Sequence, residues 1–251
     1  MELYLDGIVG EPPRTLRRVR VCDICAPPMS SGDSPTNGKT NGAHVDPVAP
    51  DEPDDLEAST TDDEPLPEDE LGPPPAVIAE GVSACVRYVH AKYGVLLDGT
   101  QDTLSLLDQY VRDARAEITA KPAALDLLAL SAGAYLGEVM RREMGGTWFA
   151  EGDASGFRLY FSRVFLSFNP VGMVREALTL EPDDGFGAGI ETDPAEREEV
   201  MARLRSLPDV DDDEFLLPTT RFDVVSIVYD HLRAKQIAAG TGDVRFTPDD
   251  Y

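Results

Sequence analysis

Few residues in this chain combine the type and spacing that chemistry needs. Cys22 and Cys25 form a C-x-x-C pair. A structural zinc site usually takes two such pairs, or a cysteine pair with a histidine pair. The third cysteine is Cys85, and the three histidines are scattered at His44, His90 and His231. A redox C-x-x-C sits at a helix start, where the dipole lowers the thiol pKa; here Pro27 and Pro28 follow at once and forbid a helix. Cys22 and Cys25 are therefore read as two reduced thiols, with metal binding the weaker alternative. Residues 185–189 (GFGAG) lack the strand, the glycine register and the following helix of a dinucleotide loop. Neither a nucleophile elbow, nor a zinc-protease helix, nor a phosphate loop is written anywhere. The acid runs at Asp183-Asp184 and 209–214 lack the spacing of a calcium hand. No catalytic residue and no cofactor is assigned, and the chain is not expected to be an enzyme.

One carboxylate stands out. Glu138 lies in a run of small and apolar residues, LSAGAYLGEVM, three positions after Tyr135 and ten before Trp148. A carboxylate buried there must be paired, with Arg141, Arg142 or a strand amide, or its pKa would rise. Tyr135, Glu138 and Trp148 are the candidate pocket, set against a purely structural role for the same residues.

The elements that must position these groups divide by composition. Residues 26–75 carry thirteen Asp or Glu against one Lys, eleven Pro and no Phe, Tyr or Trp. That material has little to bury, so the sequence predicts a disordered, acidic, proline-rich linker there. Before it lies a short head, residues 1–25, with no net charge. Its apolar Leu3, Leu5, Leu16, Val19 and Val21 accompany Arg14, Arg17, Arg18 and Arg20. The alternation Arg18-Val19-Arg20-Val21 permits a strand. A tethered segment of this kind raises the effective concentration of a second contact. Leu3, Leu5, Leu16, Arg17, Arg18, Val19, Arg20 and Val21 are accordingly the candidate partner-binding residues.

Residues 76–240 are expected to form a single α+β domain, and 241–251 a C-terminal tail. Apolar residues at helical spacing predict helices over 77–93, 101–117 and 122–144. Their stripes are Val82, Cys85, Val86 and Val89, then Leu104, Leu107, Tyr110 and Val111, then Leu128, Ala132, Leu136, Val139 and Met140. His90 falls beside the first stripe, at the core or its boundary. The third helix should be central, with Gly133 and Gly137 packing closely on a sheet. Strands are predicted at 147–150, 157–161, 163–168 and 186–190. Further helices should start at Pro170, after an Asp193 N-cap to cover 195–207, and at Thr220, with 209–214 an acidic loop. The predicted fold is thus helices packed on a small antiparallel sheet.

The run from Leu130 to Trp148, with its GAYLGEV and Gly-Gly-x-Trp, resembles an uncharacterised class of bacterial domains of unknown function. The Leu97-Asp98-Gly99 turn and the Asn169-Pro170 helix start are also similar to it. The resemblance implies a helix, a glycine turn and a short strand pair, and a binding or immunity-type module; it carries no catalytic residue.

Charge narrows the partners. Residues 26–75 carry twelve net negative charges and 76–251 thirteen, within a total of −25. Such a surface gains nothing from counterion release on nucleic acid and repels anionic lipid, so neither partner is expected. It suits a protein partner with a basic or sheet-edge surface. No run of about twenty apolar residues marks a membrane helix, so no membrane insertion is expected. With no secretory leader and an odd cysteine count, the expected location is cytoplasmic. The expected function is a protein-binding module, an acidic adaptor or accessory or cargo-type protein docking through its N-terminal segment. The alternative is an immunity or antitoxin-like protein masking a basic partner.

Overall fold

The computed structural model describes residues 71–183 and 185–251. The head, residues 26–70 of the proline-rich segment, Cys22 and Cys25 lie outside the described residues, and so does Asp184; the last five residues of that segment, 71–75, are described and lead directly into the first helix. Within them the fold is α+β, as predicted: seven helices and one four-stranded antiparallel sheet.

Helix α1 spans Ala76–Tyr93, α2 Leu104–Ala120 and α3 Leu125–Met144. Gly94, at φ 71°, ends α1 in the left-handed conformation and donates its N–H to the His90 carbonyl. Pro122 sits in a 3-10 turn that runs directly into α3. Every residue from 131 to 141 is buried, because α1 covers one side of α3 and α4 (Pro170–Thr179) another. By length and composition Pro122–Met144 could cross a membrane, which the sequence had not suggested. Most of it is buried inside the fold, and that burial accounts for its apolarity.

Small residues make this packing possible. A Cβ on Gly81 would lie 2.8 Å from the Ala134 Cβ, and one on Gly133 2.5 Å from the Val171 Cα. Gly133 therefore packs on the first turn of α4, not on the sheet as expected. Asn169 caps that turn, accepting from the amides of Val171 and Gly172.

The sheet is a meander of β1 Gly146–Phe149, β2 Arg158–Phe161, β3 Leu166–Phe168 and β4 Glu191–Thr192. Trp148 pairs with Leu159, and Leu159 with Phe168, so one buried row crosses three strands. Phe161 continues that core towards the last helix, α7 (Pro218–Ala238), with its ring 5.7 Å from Tyr229. Thr147 and Phe149 alternate to the exposed side.

Three expectations are corrected. Residues 186–190 form no strand: Gly185, Gly187 and Gly189 give a bend, and the Arg158 guanidinium occupies the space a Gly187 side chain would need. The fourth strand falls just after, at Glu191–Thr192. Asp193 does not cap a helix at 195; its side chain accepts from the Ala195 amide in a turn, and α5 covers only Arg197–Arg205. The second half of the acidic loop is a single helical turn, α6 (Asp212–Phe215). In addition, His90 is exposed on α1 rather than set in the core.

The last residues fold back onto the sheet. The Phe246 amide donates to the Ser162 carbonyl at 2.7 Å, and the Tyr251 ring stacks on Phe165 with centroids 4.3 Å apart. The Tyr251 hydroxyl accepts from the Leu166 amide at 2.8 Å, closing the β2–β3 hairpin. Its burial pushes the phenol pKa up.

Candidate functional site

Helix α3 projects Glu138 and Arg141 from successive turns on one side, an i,i+3 spacing that brings their side chains together. Arg141 donates Nε to Glu138 Oε1 at 2.8 Å and Nη2 to Oε2 at 3.0 Å. The Gly145 turn, at φ 74°, then reverses the chain into β1 and delivers Trp148 to the same carboxylate. Its Nε1 donates to Glu138 Oε1 at 2.6 Å. All three residues are buried. The indole lies so close to α3 that a Cβ on Gly137 would overlap its ring. Gly137 thus packs on Trp148, where the sequence suggested the sheet as a whole.

Arg141 Nη1 completes the cluster by donating to the carbonyls of Leu71 and Gly72, each at 3.3 Å. The chain therefore enters the described fold across this guanidinium, beside β1. Arg142, the other expected partner, turns away: its guanidinium lies against Gly99.

Tyr135 belongs to a different set of bonds. Its hydroxyl accepts from the Gly99 amide at 2.9 Å and shares a hydrogen bond with Thr103 Oγ1 at 2.7 Å. Burial raises the phenol pKa, against those two hydrogen bonds. It fastens the 98–103 loop to α3. The structure thus brings Glu138 and Trp148 into direct contact and assigns Tyr135 to the neighbouring turn. Both Glu138 oxygens accept from buried donors, so the carboxylate acts as an anchor between α3, β1 and, through Arg141, the incoming chain.

The remaining chemistry-bearing groups are separate. Cys85 is fully buried, and desolvation pushes its thiol up to about 12, which leaves it protonated and unreactive. His231 Nε2 lies 3.3 Å from Glu199 Oε1, on the α5–α7 side. Among the described residues no three His, Cys, Asp or Glu side chains group as metal ligands.

A second buried ion pair had no signal in the sequence. Arg221 of α7 donates Nη2 to Glu176 Oε2 of α4 at 2.8 Å, and its guanidinium lies 4.5 Å from the Phe215 ring centroid. Burial lowers the Arg221 pKa and Glu176 opposes that shift. Nearby, Arg175 donates to Asp183 at 2.6 Å and pairs with Asp126, while lying over the Phe186 ring. Neither arginine stands in a sequence pattern that names its partner.

No family model matches the chain, and no curated protein or solved structure shows significant similarity to it.

Proposed function

We propose that this chain is a non-enzymatic protein-binding module, an acidic adaptor or accessory-type protein that engages a protein partner through residues 1–25. One observation supports the folded body as a platform rather than a reaction site. Glu138, the carboxylate best placed for chemistry, holds a guanidinium and an indole with both oxygens, deep between α3 and β1. General acid–base work needs a group that can reach a substrate proton, and this one is engaged by the fold. The head carries the chain's concentrated positive charge and an apolar alternation, the combination that strand addition or carboxylate pairing uses. We place the protein in the cytoplasm, where its cysteines stay reduced.

The test is partner retention by the full chain against Arg17→Ser/Arg18→Ser/Arg20→Ser. The reading expects retention to fall sharply, to weaken further with salt, and the melting temperature to stay unchanged. Undiminished retention would overturn it.

The second reading, an immunity or antitoxin-like protein, draws on the exposed acids from Asp211 to Glu214, with Asp209 just before them. A basic protein covering that surface would be released by Asp211→Asn/Asp212→Asn/Asp213→Asn and not by the arginine variants.

A further inference from the structure

We propose that the place Tyr251 fills is a binding site for a tyrosine side chain, closed in the free protein by the chain's own tail and opened to a tyrosine-bearing segment of a partner protein. The proposal stands apart from the docking role of residues 1–25. The seat is built on β2, β3 and the turn between them. The Tyr251 ring stacks on Phe165, with centroids 4.3 Å apart and planes inclined by 12°, and its centroid lies 4.5 Å from that of Tyr160. Four backbone groups converge on its hydroxyl. The Leu166 amide donates to it at 2.8 Å, and the carbonyls of Phe161, Val164 and Leu166 lie at 3.0, 3.0 and 3.1 Å. A hydroxyl accepts that amide bond and gives its one proton to a carbonyl. Phenylalanine would leave the amide and the carbonyls without a partner. A phosphotyrosine has no such proton and would bring negative charge against three carbonyl oxygens. The site therefore reads a flat ring with a free hydroxyl.

The tail is held as a ligand would be. Phe246 supports Tyr251: its amide donates to the Ser162 carbonyl at 2.7 Å, and its ring meets Phe165 edge-on at 5.6 Å. The residues on either side of Phe246, 243–245 and 247–250, are exposed. The turn before Tyr251 closes on itself, because the Thr247 amide and hydroxyl donate to the Asp250 carboxylate at 2.7 and 2.9 Å. Its geometry is set locally, so a separate peptide of the same residues brings that geometry with it. Lifting the tail leaves every strand pairing of the sheet in place. It uncovers Tyr160 and Phe165 as the walls of the seat. The tail competes at the high effective concentration of a tethered group. The unaltered chain thus admits only a segment that binds better than its own residues do.

Fluorescence anisotropy with a labelled peptide of residues 241–251 tests this on the full chain. Tyr251→Ala empties the seat and should bind the peptide saturably. The unaltered chain should bind it about tenfold or more weaker, because its own tail competes. A peptide with Tyr251→Phe, or with Tyr251 phosphorylated, should bind the emptied seat about tenfold or more weaker than the parent peptide. Trp148 emission matching that of the unaltered chain shows that the protein variant is folded. Should Tyr251→Ala unfold, the full chain with Tyr251→Phe keeps the ring and is read in its place, again as the tighter binder. No saturable binding by the variant would overturn the proposal. Equal binding of the Tyr251→Phe peptide would do so too, since the seat would then be a merely apolar patch. Equal binding by the variant and the unaltered chain would place the peptide elsewhere and overturn it as well. A concentration-dependent dimer of the unaltered chain, abolished by Tyr251→Ala, would assign the seat to a second copy's tail and overturn the partner.

Discussion

Two buried ion pairs among the described residues are built differently. Glu138 and Arg141 are three residues apart on one helix, and the carboxylate also accepts from Trp148. Glu176 and Arg221 lie 45 residues apart, join α4 to α7, and share one short bond, with the Phe215 ring against the cation. The Arg141 guanidinium has two further carbonyl partners, at Leu71 and Gly72. The local pair forms wherever α3 is helical; the distant pair exists only once the tertiary fold has closed. A buried pair seldom stabilises much over apolar residues of the same shape, yet losing one partner strands the other's charge. The penalty should therefore depend on what remains for the cation.

That gives the largest expected effect. Glu176→Ala strips Arg221 of its carboxylate in a fully buried place and should cost about 3–5 kcal/mol in urea denaturation. Glu176→Leu/Arg221→Met removes both charges and should recover most of that loss. If the single substitution costs less than the double, the pair is not held as described.

Glu138→Ala should cost less, about 3 kcal/mol, because Arg141 keeps the carbonyls of Leu71 and Gly72. Glu138→Gln retains an acceptor for the indole and should cost about 1–2 kcal/mol. Equal losses for Glu138→Ala and Glu176→Ala would show that the carbonyls do not help. The indole should report the change directly, by a shift in Trp148 emission in the Glu138 variants and none in Glu176→Ala.

The same contrast explains what the sequence could tell. The helices α1, α2 and α3 followed from apolar spacing, because a helix face repeats within a few residues. Glu138 was conspicuous for the same reason, a carboxylate among small apolar neighbours with arginines one turn on. Trp148 was grouped with it as a candidate pocket residue, but the direct bond from its indole was not legible, since it depends on how sharply the Gly145-Gly146 turn folds Trp148 back. Glu176 and Arg221 look like ordinary helix-surface residues until α4 and α7 are docked. No strand forms at 186–190 because Gly185, Gly187 and Gly189 favour a bend over the extended backbone that Phe186 and Ile190 would suit, and the return of Tyr251 onto the sheet left no periodic trace. Contacts set within a turn or two were legible; those set by docking were not.

Gly137 sharpens the local side of the comparison. Gly137→Ala adds one methyl where the Trp148 ring lies, and the neighbouring indole Nε1 on the same edge of the ring is held by Glu138. The ring cannot move without lengthening its bond to the carboxylate. The expected loss is about 1–3 kcal/mol, the usual cost of overpacking. Helix propensity alone would make the substitution stabilising, so the sign decides whether the ring is as fixed as its bonds imply. Gly242→Ala, in a more open setting, serves as the control.

Asp108 supplies the smallest effect and a third kind of buried carboxylate. It lies on α2 and accepts from the Thr219 amide at 3.0 Å, at the start of α7, with no guanidinium hydrogen-bonded to it among the described residues. Burial raises its pKa, and the bond from the Thr219 amide and the attraction of Arg112 only partly offset that. A carboxyl whose folded pKa is raised favours the folded state while protonated, and that contribution is lost as pH rises through the folded pKa. At neutral pH the charge on Asp108 is therefore a burden. Asp108→Asn keeps an acceptor for the Thr219 amide and removes the charge. It should raise the midpoint of urea unfolding slightly at pH 7, and the gain should shrink to nothing as pH falls below the ordinary carboxyl range. Loss of stability at pH 7 would mean that the attraction of Arg112 and the helix start outweighs desolvation, and would place Asp108 with the paired carboxylates.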